Sequence, residues 1–362
     1  HFGWGHPWSY DWKGDDHLPT APSSGPLFEG SGAGVIHCAI PGYPNNYNNV
    51  FFINDWLNRE IFIYRSRWDG AWRKPDRLQL EVLAHAGGGR SMPLSKGRSF
   101  DPVDIEMGPD GAIWITSWGR QYGAHYENNK LANEGRIYRL WPRDYSPSYP
   151  SRDTRTVEGL IADLGSHLPA WRTNAQEELI RRGQSIEPSL RAALRKPDLS
   201  AALETWLVWT IGRINPEGWF EDNTNRKIQS IRIAAFNGRL HPAIRQALLD
   251  EDPKVRLAAV IALRELRASD STAALLNLAA RESDRIVYYA AWGALMDLLP
   301  ENQRKTLLGD RRAPIRLAAL LGLLEEDALS KKEIEPHTKD KDAAIADLSA
   351  RRLGGKHQFE HR

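Results

Sequence analysis

The chain has 362 residues, 41% hydrophobic and 26% charged, with a formal net charge of +2 at pH 7. That length allows two domains with separate cores, while the near-neutral charge, without a Lys/Arg stripe interleaved with aromatics, points away from nucleic acid. No apolar run reaches the roughly 18 residues of a membrane span, and the one cysteine, Cys38, excludes an intrachain disulfide framework, Cys-based zinc and a Cys-x-x-Cys-His haem attachment.

The sequence opens on His1 rather than methionine, so the expectation is a processed chain or a fragment. Nine of the 14 tryptophans and most of the Gly-, Pro- and Asn-rich stretches lie before residue 150, a strand-and-turn texture. Short β-rich runs fall at 35–40, 50–53, 60–64, 78–83, 103–107, 112–117 and 135–140. The runs at 50–53 and 60–64 read as a hairpin. Those at 103–107 and 112–117 are joined by Gly108-Pro109-Asp110-Gly111, in which Pro presets φ, Asp bonds local backbone and Gly accepts positive φ. Strands at this spacing suit four-stranded propeller blades and make slightly less than two of them, whereas a closed propeller has at least about four. Residues 1–144 are therefore expected to be a partial β-propeller of about two blades.

Within that module Asp101 and Asp104, with Lys96 and Arg98 nearby, are candidates for lining the mouth of a propeller channel. The simpler reading of Asp104 is a side chain bonded to strand-end amides. His85, in Ala84-His85-Ala86-Gly87-Gly88-Gly89-Arg90, is a candidate general base on a loop, with the three glycines as a plain connector the competing reading. No set of residues at metal-ligand spacing stands out, so no metal site is expected.

Residues 145–160, with Tyr145-Ser146-Pro147-Ser148-Tyr149-Pro150, read as a linker, and from 161 to 353 Ala, Leu and Arg dominate. Here a repeat is visible. Asp252-Pro253-Lys254-Val255-Arg256-Leu257-Ala258-Ala259 opens a helix. The pattern returns at Asp284-Arg285-Ile286-Val287, at Ala313-Pro314-Ile315-Arg316 and at Asp342-Ala343-Ala344-Ile345. Val255, Val287, Ile315 and Ile345 follow one another at 32, 28 and 30 residues. The expectation is a stack of antiparallel helix pairs, each long helix started by Asp or Pro and preceded by a shorter apolar segment. Arg256 and Arg316 fit salt bridges between the repeats. Residues 354–362 read as a tail.

These elements bear a resemblance. His1-Phe2-Gly3-Trp4, Val50-Phe51-Phe52-Ile53-Asn54-Asp55-Trp56 and Asp101-Pro102-Val103-Asp104-Ile105-Glu106-Met107-Gly108-Pro109-Asp110-Gly111 resemble late blades of glucose/sorbosone dehydrogenase-like propellers. The helical part from Trp171-Arg172-Thr173-Asn174 resembles the HEAT region to which such propellers are joined in large bacterial membrane-bound dehydrogenase domain proteins. The resemblance implies a multidomain β-then-α chain, a partial propeller followed by a HEAT-like α-solenoid. It implies oxidation of sugars or related alcohols with pyrroloquinoline quinone (PQQ) and calcium in the full-length protein, and a periplasmic or extracellular location. The family's histidine base lies in blades without an equivalent here. Where quinone-binding members carry arginines, this chain has Asp101 and Val103, and an aspartate would repel the cofactor's carboxylates. Neither quinone nor haem is supported by the residues themselves. The segment is therefore expected not to catalyse alone, the alternative being a scaffold binding carbohydrate or protein.

Overall fold

The computed structural model describes residues 32–56, 58–76, 81–85, 100–118, 126–131, 135–146, 155–220 and 223–354. A β-rich region is followed by a helical one, and the chain forms two compact units. One comprises Gly25–Arg67 and Pro75–Ile214; the other contains Trp68–Lys74 and Asn215–Arg362.

In the first unit, β1 (Gly32–Cys38), β2 (Val50–Asp55) and β3 (Glu60–Tyr64) form an antiparallel meander. The chain then departs into a hairpin of β4 (Ser66–Asp69) and β5 (Trp72–Pro75) and returns as β6 (Glu81–His85), which completes the sheet order β1-β2-β3-β6. A second meander follows, of β7 (Asp101–Met107) and β8 (Ile113–Trp118). A two-stranded excursion, β9 (Tyr126–Glu127) and β10 (Lys130–Leu131), precedes its third strand, β11 (Arg136–Leu140), giving the order β11-β8-β7. The β9–β10 turn is made by Asn128 and Asn129, both at positive φ (52° and 60°), the geometry a two-residue hairpin turn demands. Neither sheet closes on itself. The hairpin β4–β5 was not expected from sequence, although its Asp69-Gly70 turn is a hairpin signal, because its strands are only four residues long and lack the β-branched alternation that marks longer strands.

The two larger sheets share a core. Cys38, Val50, Phe52, Ile61 and Ile63 from the first meet Ile105, Ile113 and Ile115 from the second. Fully burying such a side chain contributes about 1.5–3 kcal/mol. Gly34 permits the approach of β1 to β7: a Cβ there would lie 2.6 Å from the Ile105 amide nitrogen. Four helices complete this unit: α1 (Val157–Leu164), capped by the Thr156 hydroxyl, α2 (Pro169–Arg182), α3 (Glu187–Leu194) and α4 (Ala201–Ile214). Leu168 and Trp171 enter the sheet core, and the Trp171 indole donates to the Pro109 carbonyl at 2.8 Å. The start of the helical region is thus fastened to the Pro-Asp-Gly turn, which Tyr43 also grips through its hydroxyl on the Gly111 carbonyl at 2.6 Å.

The second unit is a stack of helices. The longer ones, α5 (Thr224–Phe236), α7 (Pro253–Glu265), α9 (Arg285–Leu298), α11 (Ala313–Glu325) and α13 (Ala343–Gly354), lie against one another in succession. The shorter α6 (Pro242–Ala247), α8 (Thr272–Ala279), α10 (Glu301–Leu307) and α12 (Lys331–Ile334) each pack on the long helix that follows. Val255, Val287, Ile315 and Ile345 all sit in the core, as the repeat spacing predicts. Asp252 and Asp284 accept from the first free amides of α7 and α9, and Asp342 from those of Ala344 and Ile345. At α11 Arg312 stands in the cap position and makes no side-chain cap bond, so Pro314 in the first turn marks that start.

A polar ladder links the repeats. Arg256 donates to both carboxylate oxygens of Glu282 (2.8 and 2.7 Å) and to the carbonyls of Asp250 and Glu251. Glu282 in turn receives the Asp284 amide at 2.9 Å. Arg316 repeats this on Asp340 and on the carbonyls of Asp310 and Arg311, with Asp340 receiving the Asp342 amide. Between them the equivalent position is Tyr288, whose hydroxyl donates to the Pro314 carbonyl at 2.7 Å.

The tip of the β4–β5 hairpin belongs to this unit. Ala71 is part of the helical core, and its amide donates to Oδ2 of Asp284 at 2.8 Å while Oδ1 caps α9. Gly70 lies at φ 60°, and a Cβ there would collide with the Asp284 carboxylate. Asp284→Ala removes a cap and the hairpin's anchor together. The expected loss is about 2 kcal/mol, one half for each role, with faster proteolysis at residues 66–75 as the second readout. Unchanged cleavage there would show that the hairpin is held by other contacts. Among the described residues no helix is long and apolar enough to cross a membrane.

Candidate functional site

The two large sheets bring one end of each to the same place in the first unit. On the first sheet that end carries Asp55, the turn to Glu60, and His85, which pairs with Glu60. On the second it carries Asp101, paired with Trp118. The turn is fixed by its own sequence. Asp55 accepts from the Asn58 amide (3.0 Å) and side chain (2.6 Å), and Arg59 takes φ 61°. That conformation sends the Arg59 guanidinium across to the other sheet, where Nε meets Oδ1 of Asp101 at 3.0 Å.

Asp101 is buried, and its amide donates to the Ser117 hydroxyl at 2.8 Å. Burial raises its pKa above the ordinary carboxylate value, with Arg59 opposing by charge and hydrogen bond without cancelling the rise. Asp104 is exposed and Oδ1 accepts from the Ile105 amide at 2.9 Å, next to Gly34. His85 is the last residue of β6 rather than part of a loop. A register shift between Ile61 and Phe62 lets β6 continue its pairing with β3 as far as Glu60. Lys96 and Arg98 lie outside the described residues. The structure therefore brings His85 and Asp101 to the same end of the sheets and sets Asp104 against the backbone of β7.

Sequence reasoning passed over Arg59, the partner of Asp101. Its position 42 residues upstream carries no local signal, and only the neighbouring Asp55-x-x-Asn58 turn hints at a fixed geometry. It also passed over Asn54. This side chain is fully buried between the sheets beside Ile61, and among the described residues neither Nδ2 nor Oδ1 has a hydrogen-bond partner. A buried amide left so costs about 1–3 kcal/mol. Asn54→Leu should accordingly raise the unfolding free energy by about 1 kcal/mol, read by urea denaturation. A decrease would mean that the amide is satisfied in solution and has a positive role.

Among the described residues, the guanidinium that meets Asp101 is that of Arg59, already engaged by this carboxylate, and position 101 itself is acidic, a poor match for a quinone bearing several carboxylates. Among the described residues there is also no group of three or more His, Cys, Asp or Glu side chains arranged to hold a metal ion.

A separate open groove of about 860 Å³ runs along α2, lined by Pro109, Arg155, Trp171, Asn174, Glu177 and Arg181 among others. Its charges are largely committed to one another. Arg181 and Arg182 hold Glu178, whose pKa their hydrogen bonds lower to about 2, and Arg213 holds Glu177 at 2.6 Å. Asn174 is exposed in this groove.

No family model matches the chain, and no curated protein matches it.

Proposed function

We propose that this chain is a binding scaffold without turnover of its own, formed by two successive blades of a glucose/sorbosone dehydrogenase-like propeller and a HEAT-like α-solenoid. The observation that carries this reading is the Asp101–Arg59 pair. At the position where quinone-binding relatives present arginine to the cofactor, this chain places a buried carboxylate already neutralised from the neighbouring sheet. The abutment of β1 and β7 supports the blade reading, because successive meanders meet there through their first strands. The α2 groove supports a binding role, its volume falling in the range of small-molecule sites. A carbohydrate or a protein segment is the proposed ligand, in a periplasmic or extracellular setting. Oxidation of a sugar or related alcohol with PQQ and calcium belongs, on this reading, to a protein carrying further blades and a histidine base.

The test is direct. The purified chain, given aldoses, PQQ, calcium and an electron-accepting dye, should reduce no more dye than a protein-free control. Dye reduction that depends on the sugar and disappears on Asp101→Asn would sink the proposal.

A further inference from the structure

The open groove of about 860 Å³ along α2 has a direction. Ala170, Asn174, Glu177 and Arg181 line it at helical spacing, so they form one straight stripe on the helix. At a rise of 1.5 Å per residue the stripe is about 16 Å long, the reach of about five residues of extended chain. Its start is lined by Pro109, Ala170 and Trp171, with Pro109 held there by the Trp171 indole. At its end stand Arg181 and Arg155, the latter brought there by a hydrogen bond from Arg182 to its carbonyl at 2.7 Å.

That end is cationic. Arg213 neutralises Glu177 at 2.6 Å, whereas Glu178 is shared by two guanidinium groups, Arg181 at 2.7 Å and Arg182 at 2.9 Å. Arg155 is exposed, and among the described residues it makes no ion pair, although its charge is felt at Asp163. The C-terminal dipole of a helix amounts to about half a negative charge, which does not use up this excess. A ligand that fits here carries carboxylates, which guanidinium groups grip through paired N–H donors.

The middle of the groove says what joins those carboxylates. Asn174 is exposed there, and its amide offers both a donor and an acceptor, the complement of a peptide group. A sugar ring is gripped largely by stacking on an open aromatic face. Trp171 is 7% exposed and its N–H is engaged by the Pro109 carbonyl, so the lining presents no such face. Resting on the scaffold reading above, we propose that the α2 groove takes an extended acidic segment of a partner protein, its backbone held by Asn174 and its carboxylates by Arg155 and Arg181.

The probe is a fluorescein-labelled six-residue peptide of alternating glutamate and alanine, titrated with the 362-residue chain and read by anisotropy. It should saturate with a dissociation constant of about 10–300 µM, as suits a contact well below standard interface size. Raising salt from about 50 to about 300 mM should weaken it several-fold. Asn174→Ala and Arg155→Glu each change an exposed side chain. They should leave the melting temperature unaltered and weaken binding at least about fivefold. No saturation below about 1 mM, equal binding of a lysine–alanine peptide, or an affinity that neither substitution moves overturns the proposal. So does a labelled oligogalacturonate that binds more tightly than the peptide and is released by the same substitutions, in which case the scaffold stands with carbohydrate as its ligand. The scaffold reading itself falls to dye reduction, which this titration does not measure.

Discussion

Replacing Arg256 by alanine is expected to lower the stability of the helical unit by about 3–5 kcal/mol, the usual cost of stranding one member of a buried ion pair. Glu282 is 1% exposed at its side chain and Arg256 15%, so water cannot step in for the lost guanidinium. Two carbonyls, of Asp250 and Glu251, lose their donor as well. Hydrogen exchange of the α7 and α9 amides, read beside urea unfolding, measures the effect. A loss below about 1 kcal/mol would place the pair among ordinary surface salt bridges.

The pH dependence of this deficit follows from the direction of the shifts. Burial pushes Glu282 upward, but the hydrogen bond from Arg256, the Asp284 amide and the charge of Arg256 together hold its pKa below the ordinary carboxylate value. Asp340 is lowered too, first of all by its hydrogen bond from Arg316. A carboxylate with a depressed folded pKa contributes stability that is present above its unfolded value, about 4, and lost as pH falls through the folded one. The wild-type helical unit should weaken below about pH 4. The difference between wild type and Arg256→Ala should shrink over the same range, because a protonated Glu282 no longer needs a counter-ion.

Removing Arg59 is the second large expected effect. Arg59→Leu leaves Asp101 buried without its counter-ion and should cost about 3 kcal/mol, measured as urea unfolding of the unit that carries the sheets. Adding Asp101→Asn to that variant removes the stranded charge and should recover a good part of the loss, so that the double-mutant cycle gives a coupling above about 1 kcal/mol. Additive losses would deny the pair its role in joining the sheets. The sign with pH is opposite to that of the ladder. Asp101 has a raised folded pKa, so its contribution is full below the unfolded value and declines as pH rises through the folded one.

What could be read from the sequence was whatever is local. Asp252, Asp284 and Asp342 announce helix starts because a cap and the amides it serves lie within three residues. The buried repeat at Val255, Val287, Ile315 and Ile345 is visible because stacking imposes one phase on every helix. Pro109-Asp110-Gly111 fixed a hairpin for the same local reason: Asp110 accepts from the Ala112 amide and Gly111 takes φ 81°. Pairings between distant residues were out of reach. Nothing in the sequence ties Arg59 to Asp101, Ala71 to Asp284 or Trp171 to Pro109, yet these contacts decide how the candidate site is closed and what each unit contains. The composition change near residue 150 marks where strands give way to helices. It does not mark where one compact unit ends, because α1–α4 fall in the unit of the sheets, whose core the start of α2 enters, and Ala71 of the Trp68–Lys74 tip joins the core of the repeats. Composition reports local preference, and compactness is set by which apolar faces meet.

The substitution of Tyr288 for arginine in the ladder has a consequence for how the stack opens. On either side of it, one carboxylate accepts the amide of its own repeat's cap residue and also receives the charge of the preceding repeat, so neither repeat can melt without stranding an ion on its neighbour. Across the α9–α11 boundary the corresponding link is a single neutral hydroxyl-to-carbonyl bond. Amide exchange under native conditions should therefore resolve two cooperative blocks, one ending at α9 and one beginning at α10. The line between them is where a repeat array of this kind would tear first under load.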